Sequence, residues 1–191
     1  SKKMSPDRII EQSQALIQNG DLNQASAILN ALLLEDPSHV EALYGLAVCQ
    51  RMQMKYAEAL KNLGRILSDD PDYGRAYQEQ GHIYRKLDQS YDAIAAFEKA
   101  VELNPALIAS WRALAEMPNY PKCQQAEHHV SWLSSLPPEL VSVTSLIHQK
   151  KLYQAEQLCR HFLKGHPHHP EAMRLLAKLG SLFHILDDAE F

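Results

Sequence analysis

The chain has 191 residues, a net charge of −4, 46% apolar and 22% charged residues. So mild a charge points away from nucleic acid and anionic membranes as partners, and no stretch approaches the roughly 18 uncharged apolar residues of a membrane span. Cys49, Cys123 and Cys159 show no C-x-x-C pairing and no apolar leader follows SKKMSPDRII, so a reducing, cytoplasmic setting is expected.

From the N-terminus, Ser5 is a candidate N-cap, with Pro6 at the first helical position and Asp7 in the first turn. Gly20-Asp21 breaks this helix, and Leu22 to Glu35 forms a second that ends before Pro37. The next helix pair runs over 40–71. Met52 and Met54 at its turn read as core filler. Gly64, inside the helix Tyr56 to Leu67, costs about 1 kcal/mol relative to Ala, which a close helix approach would offset. The third pair, 74–105, is the most regular. Tyr77, Gly81 and Tyr84 share its first helix, Ala93, Phe97 and Ala100 its second, and Pro105 closes it. Small residues there let two backbones approach and large ones fill the space between pairs. In 108–138, Trp111 opens a helix that must stop near Met117, because Pro118 lacks the N–H and clashes with the preceding turn. The second helix resumes only after Pro121. The pair 139–167 is shorter, with Ala155, Cys159 and Phe162 ahead of Pro167. The last segment, 170–191, opens with Pro170 and is read as one helix and the bare start of a second at Asp188–Phe191.

These pairs repeat. Pro37, Pro71 and Pro105 are spaced by 34 residues (71 − 37 and 105 − 71), as are Ala25, Ala59 and Ala93, and Leu29, Leu63 and Phe97. Small, large and proline at these offsets resemble the tetratricopeptide repeat. Trp111-x-x-Leu114-Ala115 repeats the family's aromatic-x-x-Leu-small opening, and Leu43-x-x-Leu46-Ala47 does so less fully. Gln80 departs from the usual Leu, and Gln12 and Ser13 from the usual Leu and Gly. The resemblance implies an all-α fold: a right-handed α-α superhelix of about five and a half helix pairs. It would be a single solenoid domain over 1–191, part of a longer chain, with repeats at about 6–37, 40–71, 74–105, 108–138, 139–167 and a truncated 170–191.

No residue is nominated for catalysis, for a cofactor or for a metal. His166, His168 and His169 in HPHHP are held extended by two prolines, which splays imidazoles apart. His128 and His129 point about 100° from each other on a helix. Cys159 takes the core place that Phe97 fills in the third repeat, and Cys123 is expected to be the most accessible thiol. No phosphate loop, H-E-x-x-H or Ser–His–Asp spacing occurs. The fragment is therefore not read as an enzyme.

In the tetratricopeptide family, ligand contacts come from the second, fifth, ninth, twelfth and thirteenth positions of each repeat, on the first helices. That resemblance places Glu41, Tyr44, Val48, Arg51 and Met52 in one repeat. It adds Arg75, Gln78, His82, Arg85 and Lys86 in the next, and Ala109, Arg112 and Glu116 in the fourth. Arg51, Arg75, Arg85, Lys86 and Arg112 would line a basic groove, with Tyr44, Gln78 and His82 between them. The expected function is a scaffold holding a protein or peptide, acidic or sulfated. Residues Trp132 to Gly180 also resemble the N-terminal repeat region of bacterial tetratricopeptide–sulfotransferase fusions. This implies the alternative of a substrate-recognition arm, its catalytic domain downstream. A third alternative is self-association, through an apolar end formed by Leu175, Leu176, Leu179, Leu182, Phe183, Leu186 and Phe191.

Overall fold

The computed structural model describes residues 3–189, which form eleven α-helices and no strand. In chain order these are α1 (Pro6–Gln18), α2 (Leu22–Glu35), α3 (Val40–Met52), α4 (Tyr56–Asp69), α5 (Gly74–Lys86) and α6 (Ser90–Leu103). They continue with α7 (Ile108–Glu116), α8 (Cys123–Ser135), α9 (Pro138–His148), α10 (Leu152–Gly165) and α11 (Pro170–Ala189). The class is all-α, built of helix pairs joined by three-residue turns or, between α7 and α8, by a longer connection. The first helix starts as its sequence predicts, with the Ser5 hydroxyl accepting from the Arg8 N–H at 3.3 Å. Helices α3 and α11 use histidine instead. Nδ1 of His39 accepts from the Ala42 N–H at 3.1 Å, and Nδ1 of His169 from the Ala172 N–H at 3.4 Å.

Four intra-pair turns share one device. A residue in the left-handed region closes the first helix: Gly20 at φ +82°, Met54 at 61°, Asp88 at 57° and Lys150 at 63°. The next residue then donates its N–H five positions back, Asp21 to Leu16, Lys55 to Gln50, Gln89 to Tyr84 and Lys151 to Leu146. Orphan carbonyls at the helix end are thereby satisfied. Only Gly20 announces this in sequence, because only glycine adopts the conformation without a steric cost. The α7–α8 connection is different. Both prolines lie between Glu116 and Cys123, as the proline argument predicts. The Cys123 thiol donates to the Tyr120 carbonyl at 2.8 Å and the Met117 carbonyl at 3.2 Å.

The chain divides into two compact units at Phe97, within α6. In the first, Ala25, Leu29, Leu32, Ala42, Leu46 and Cys49 form one core cluster, and Leu43, Ala47, Ala59, Leu63, Ile66, Ala76 and Ile83 a second. Thus α3 buries two faces, one against α2 and one against α4. Gly81 is required where it stands: a Cβ there would lie 2.6 Å from the Phe97 ring. In the second unit, Leu140, Val143, Ile147, Ala155, Cys159 and Phe162 join Ala172, Leu175 and Leu179 of α11.

Three expectations are corrected. Met54 is 74% exposed and Met52 45%, so neither fills the core. A Cβ added at Gly64 would meet nothing within 4 Å, so no close approach offsets the cost of glycine there. And α11 is one unbroken helix through Ala189, with no turn into a second; Phe191 lies outside the described residues. Among its described residues none is left-handed and none after Pro170 is proline, so nothing interrupts it there.

Candidate functional site

The first-in-pair helices α1, α3 and α5 of the first unit enclose a groove of about 240 Å³. Ile10, Ser13, Gln14, Ile17 and Gln18 come from α1, Glu41, Tyr44, Gly45 and Val48 from α3, and Glu79 from α5. Those of α1 fall at i, i+3, i+4, i+7 and i+8 and those of α3 at i, i+3, i+4 and i+7, the pattern that keeps side chains on one helical face. Glu41, Tyr44 and Val48 are three of the five groove positions that the repeat register assigns to the second repeat; Arg51 and Met52 are not in the lining. The groove floor is apolar, while Gln14 and Gln18 stand exposed at its edge.

Two of the arginines predicted for the groove, Arg51 and Arg75, are held by this chain's own carboxylates. Arg51 donates through Nε and Nη2 to the two oxygens of Glu79, whose side chain is only 5% exposed. Arg75 donates through Nη2 to Glu41 at 2.6 Å and to the Tyr73 hydroxyl, which itself donates to Glu41 at 2.7 Å. The Arg75 guanidinium also lies over the Tyr44 ring at 4.5 Å and the Tyr73 ring at 5.0 Å. Burial pushes the Tyr44 and Tyr73 phenols upward, so both stay neutral. Burial also raises Glu79, partly offset by Arg51. His82, edge-on to Phe97 at 5.1 Å between centroids, is lowered to about 4 by burial and then by the Arg51 and Arg85 charges.

The remaining predicted positions fall as follows. Gln78 and Arg85 are half-buried on α5, and Lys86 is exposed at its end. Arg112 is exposed on α7 in the second unit. Sequence reasoning missed Glu79, although a signal existed. One period earlier stands Gly45 (79 − 34), a small residue facing Leu29. A carboxylate at so tight a place calls for an internal cation. Glu41 and Arg75 are likewise one period apart, opposite charges on neighbouring repeats. Among the described residues no group of three or more His, Cys, Asp or Glu could hold a metal ion, and no helix is long and apolar enough to cross a membrane.

Helix pairs at a period of 34 with small residues opposed to large ones define an α-helical repeat class. Residues 16–80 match one tetratricopeptide-repeat model and residues 74–107 another, so the chain carries tetratricopeptide repeats over this stretch. Anaphase-promoting complex subunit 3 of Schizosaccharomyces pombe is 25% identical over 158 residues, 78% of this chain and 24% of that protein. A UDP-N-acetylglucosamine–peptide N-acetylglucosaminyltransferase of Giardia intestinalis is 33% identical over 94 residues, 40% of this chain and 6% of the enzyme. A thermophilic tetratricopeptide protein of Thermus thermophilus superposes with a TM-score of 0.60 over 92% of this chain and 98% of its own. At 18% identity it supports the fold alone. The chain spans about a quarter or less of these curated relatives' length. None of these likenesses supports a tie to a sulfotransferase.

Proposed function

We propose that the chain is a protein-binding scaffold whose ligand face is the groove of α1, α3 and α5. The observation that carries this is a groove of about 240 Å³ built from the repeat positions at Glu41, Tyr44 and Val48. That is below the roughly 300–1,000 Å³ of clefts that enclose small molecules, and suits side chains of a peptide laid across the helices. An acidic or sulfated ligand draws less support than its sequence suggests, because Arg51 and Arg75 already answer Glu79 and Glu41. The test is selection of peptides from a random displayed library on the whole chain, followed by binding to two variants. Val48→Lys, in the groove, should abolish binding of selected peptides. Gly64→Lys, on the exposed side of α4, should leave it unchanged. Peptides that respond to the second variant and not the first would place the ligand face elsewhere.

A second reading has a specific observation behind it. One relative transfers a sugar to peptides, and its matching segment is a small part of a large enzyme. This chain would then be a substrate-recognition arm, and a sulfotransferase is only one of the enzymes it could serve. Deleting it from its parent should raise KM for protein substrates while sparing short ones.

A further inference from the structure

The charges around the groove neutralise one another. The Glu79 carboxylate takes two N–H groups from Arg51, and Glu41 takes Arg75 together with the Tyr73 hydroxyl. Tyr44 of the wall and Tyr73, bonded to Arg75, are pushed up by burial and stay neutral, and His82 is neutral near pH 7. A carboxylate from a ligand would have to pull Arg51 or Arg75 from a partner already seated. Taking Arg51 away would leave the Glu79 carboxylate, only 5% exposed, uncompensated, which costs more than an exposed contact returns, and Arg75 and Glu41 are themselves mostly covered. A ligand cation meets the converse problem at Glu41 and Glu79. Apart from the buried Nε of Arg75, which has no partner and no access to solvent, what the groove leaves unanswered is its apolar surface, Ile10, Ile17, Tyr44 and Val48, and the exposed amides of Gln14 and Gln18. A glutamine side chain both donates and accepts, and so can serve a peptide N–H and C=O together.

We propose that the α1–α3–α5 groove takes one uncharged apolar side chain of a protein partner, leucine-like in size, while Gln14 and Gln18 bond the partner's backbone beside it. The fit is by charge complementarity of an unusual kind: an internally neutral wall admits a neutral occupant. This rests on the reading of the groove as the ligand face. It reverses the basic groove expected from sequence, and it makes recognition insensitive to salt, since screening acts on net charge interactions.

The experiment uses the full chain with labelled methyl groups and three probes that share one backbone: N-acetyl-leucinamide, N-acetyl-lysinamide and the N-acetyl amide of aspartate. The leucine probe should shift the methyl resonances of Ile10, Ile17 and Val48. The two charged probes should bind at least about five-fold more weakly, and the leucine affinity should change less than about two-fold from about 50 to about 500 mM NaCl. Val48→Lys should remove the response. Gln14→Lys, at an exposed site that folding does not need, should weaken it. A charged probe that shifts these methyls as strongly as leucine, or an affinity that collapses with salt, overturns the proposal. If none of the probes moves these methyls while library-selected peptides still bind through Val48, the apolar-anchor proposal falls and the scaffold reading stands. Peptides failing to bind at all would sink the scaffold reading instead.

Discussion

His82 shows how a single residue ties the site to stability. Its ring is packed against Phe97 and its ordinary titration is depressed to about 4, first by burial and then by Arg51 and Arg85. Between that value and the ordinary histidine range, the unfolded chain binds a proton that the folded chain refuses. Stability therefore falls as pH drops from about 6.5 toward 4, by up to about 3 kcal/mol from this group. Glu79 acts in the other direction. Its raised titration means that stability is lost as pH rises through it, so acidification returns part of what His82 removes. The clean measurement is a difference. Urea unfolding at pH 7 and pH 5 should show a smaller loss for His82→Gln than for the unaltered chain. Equal losses in the two proteins would mean that another group governs the acid limb.

At the scale of the element, the helices were mostly legible and their compensations were not. The boundaries of α2, and the gap between α7 and α8, follow from Gly20, Pro118 and Pro121, because glycine and proline act on the backbone locally. The turns at Met54, Asp88 and Lys150 carry no such mark. Their left-handed residues are imposed by the helix pair that they close, and a tertiary demand leaves no local signature. The groove was legible in position but not in charge. Register put Tyr44 on the face that lines it, while Arg51 and Arg75 pair with two of its carboxylates, and whether an arginine faces solvent or a carboxylate depends on a partner 28 or 34 residues away. Glycines divide in the same manner. Gly81 and Gly64 look alike in sequence, but one faces the Phe97 ring and the other open space. Gly64→Ala should therefore stabilise by about 0.5–1 kcal/mol, the helix propensity difference. Gly81→Ala should destabilise, by about 1–3 kcal/mol, because the ring must shift. Thermal unfolding of both variants tests the pair. Two changes of the same sign would show that the Phe97 contact does not decide the outcome.

For the whole molecule, the question is how much apolar surface remains once the helices are packed. The sequence offered Leu175, Leu176, Leu179, Leu182, Phe183 and Leu186 as an uncovered end. In the structure Leu175 and Leu179 are buried against α9 and α10, and Leu176, Leu182 and Phe183 are partly covered. Met173, in the first turn of α11, is exposed, and what stands out at the C-terminal end of that helix is Ile185, 61% exposed, and Leu186, 51% exposed. Complete burial of such a side chain contributes about 1.5–3 kcal/mol, and these are already half covered. Two copies meeting through both residues would gain about 3–6 kcal/mol. Association costs at least about 4 kcal/mol in lost translation and rotation, before any side chain is ordered. The balance is near zero, at best about 2 kcal/mol in favour, so a dimer through this end would have a dissociation constant of roughly tens of millimolar or weaker. The chain is thus expected to sediment as a monomer at micromolar concentration. Any association that emerges at about millimolar concentration should disappear in Leu186→Glu. A dimer already complete at tens of micromolar would show that a larger surface than Ile185 and Leu186 is engaged. If Leu186→Glu left that dimer intact, the contact would have to lie off the end of α11 altogether.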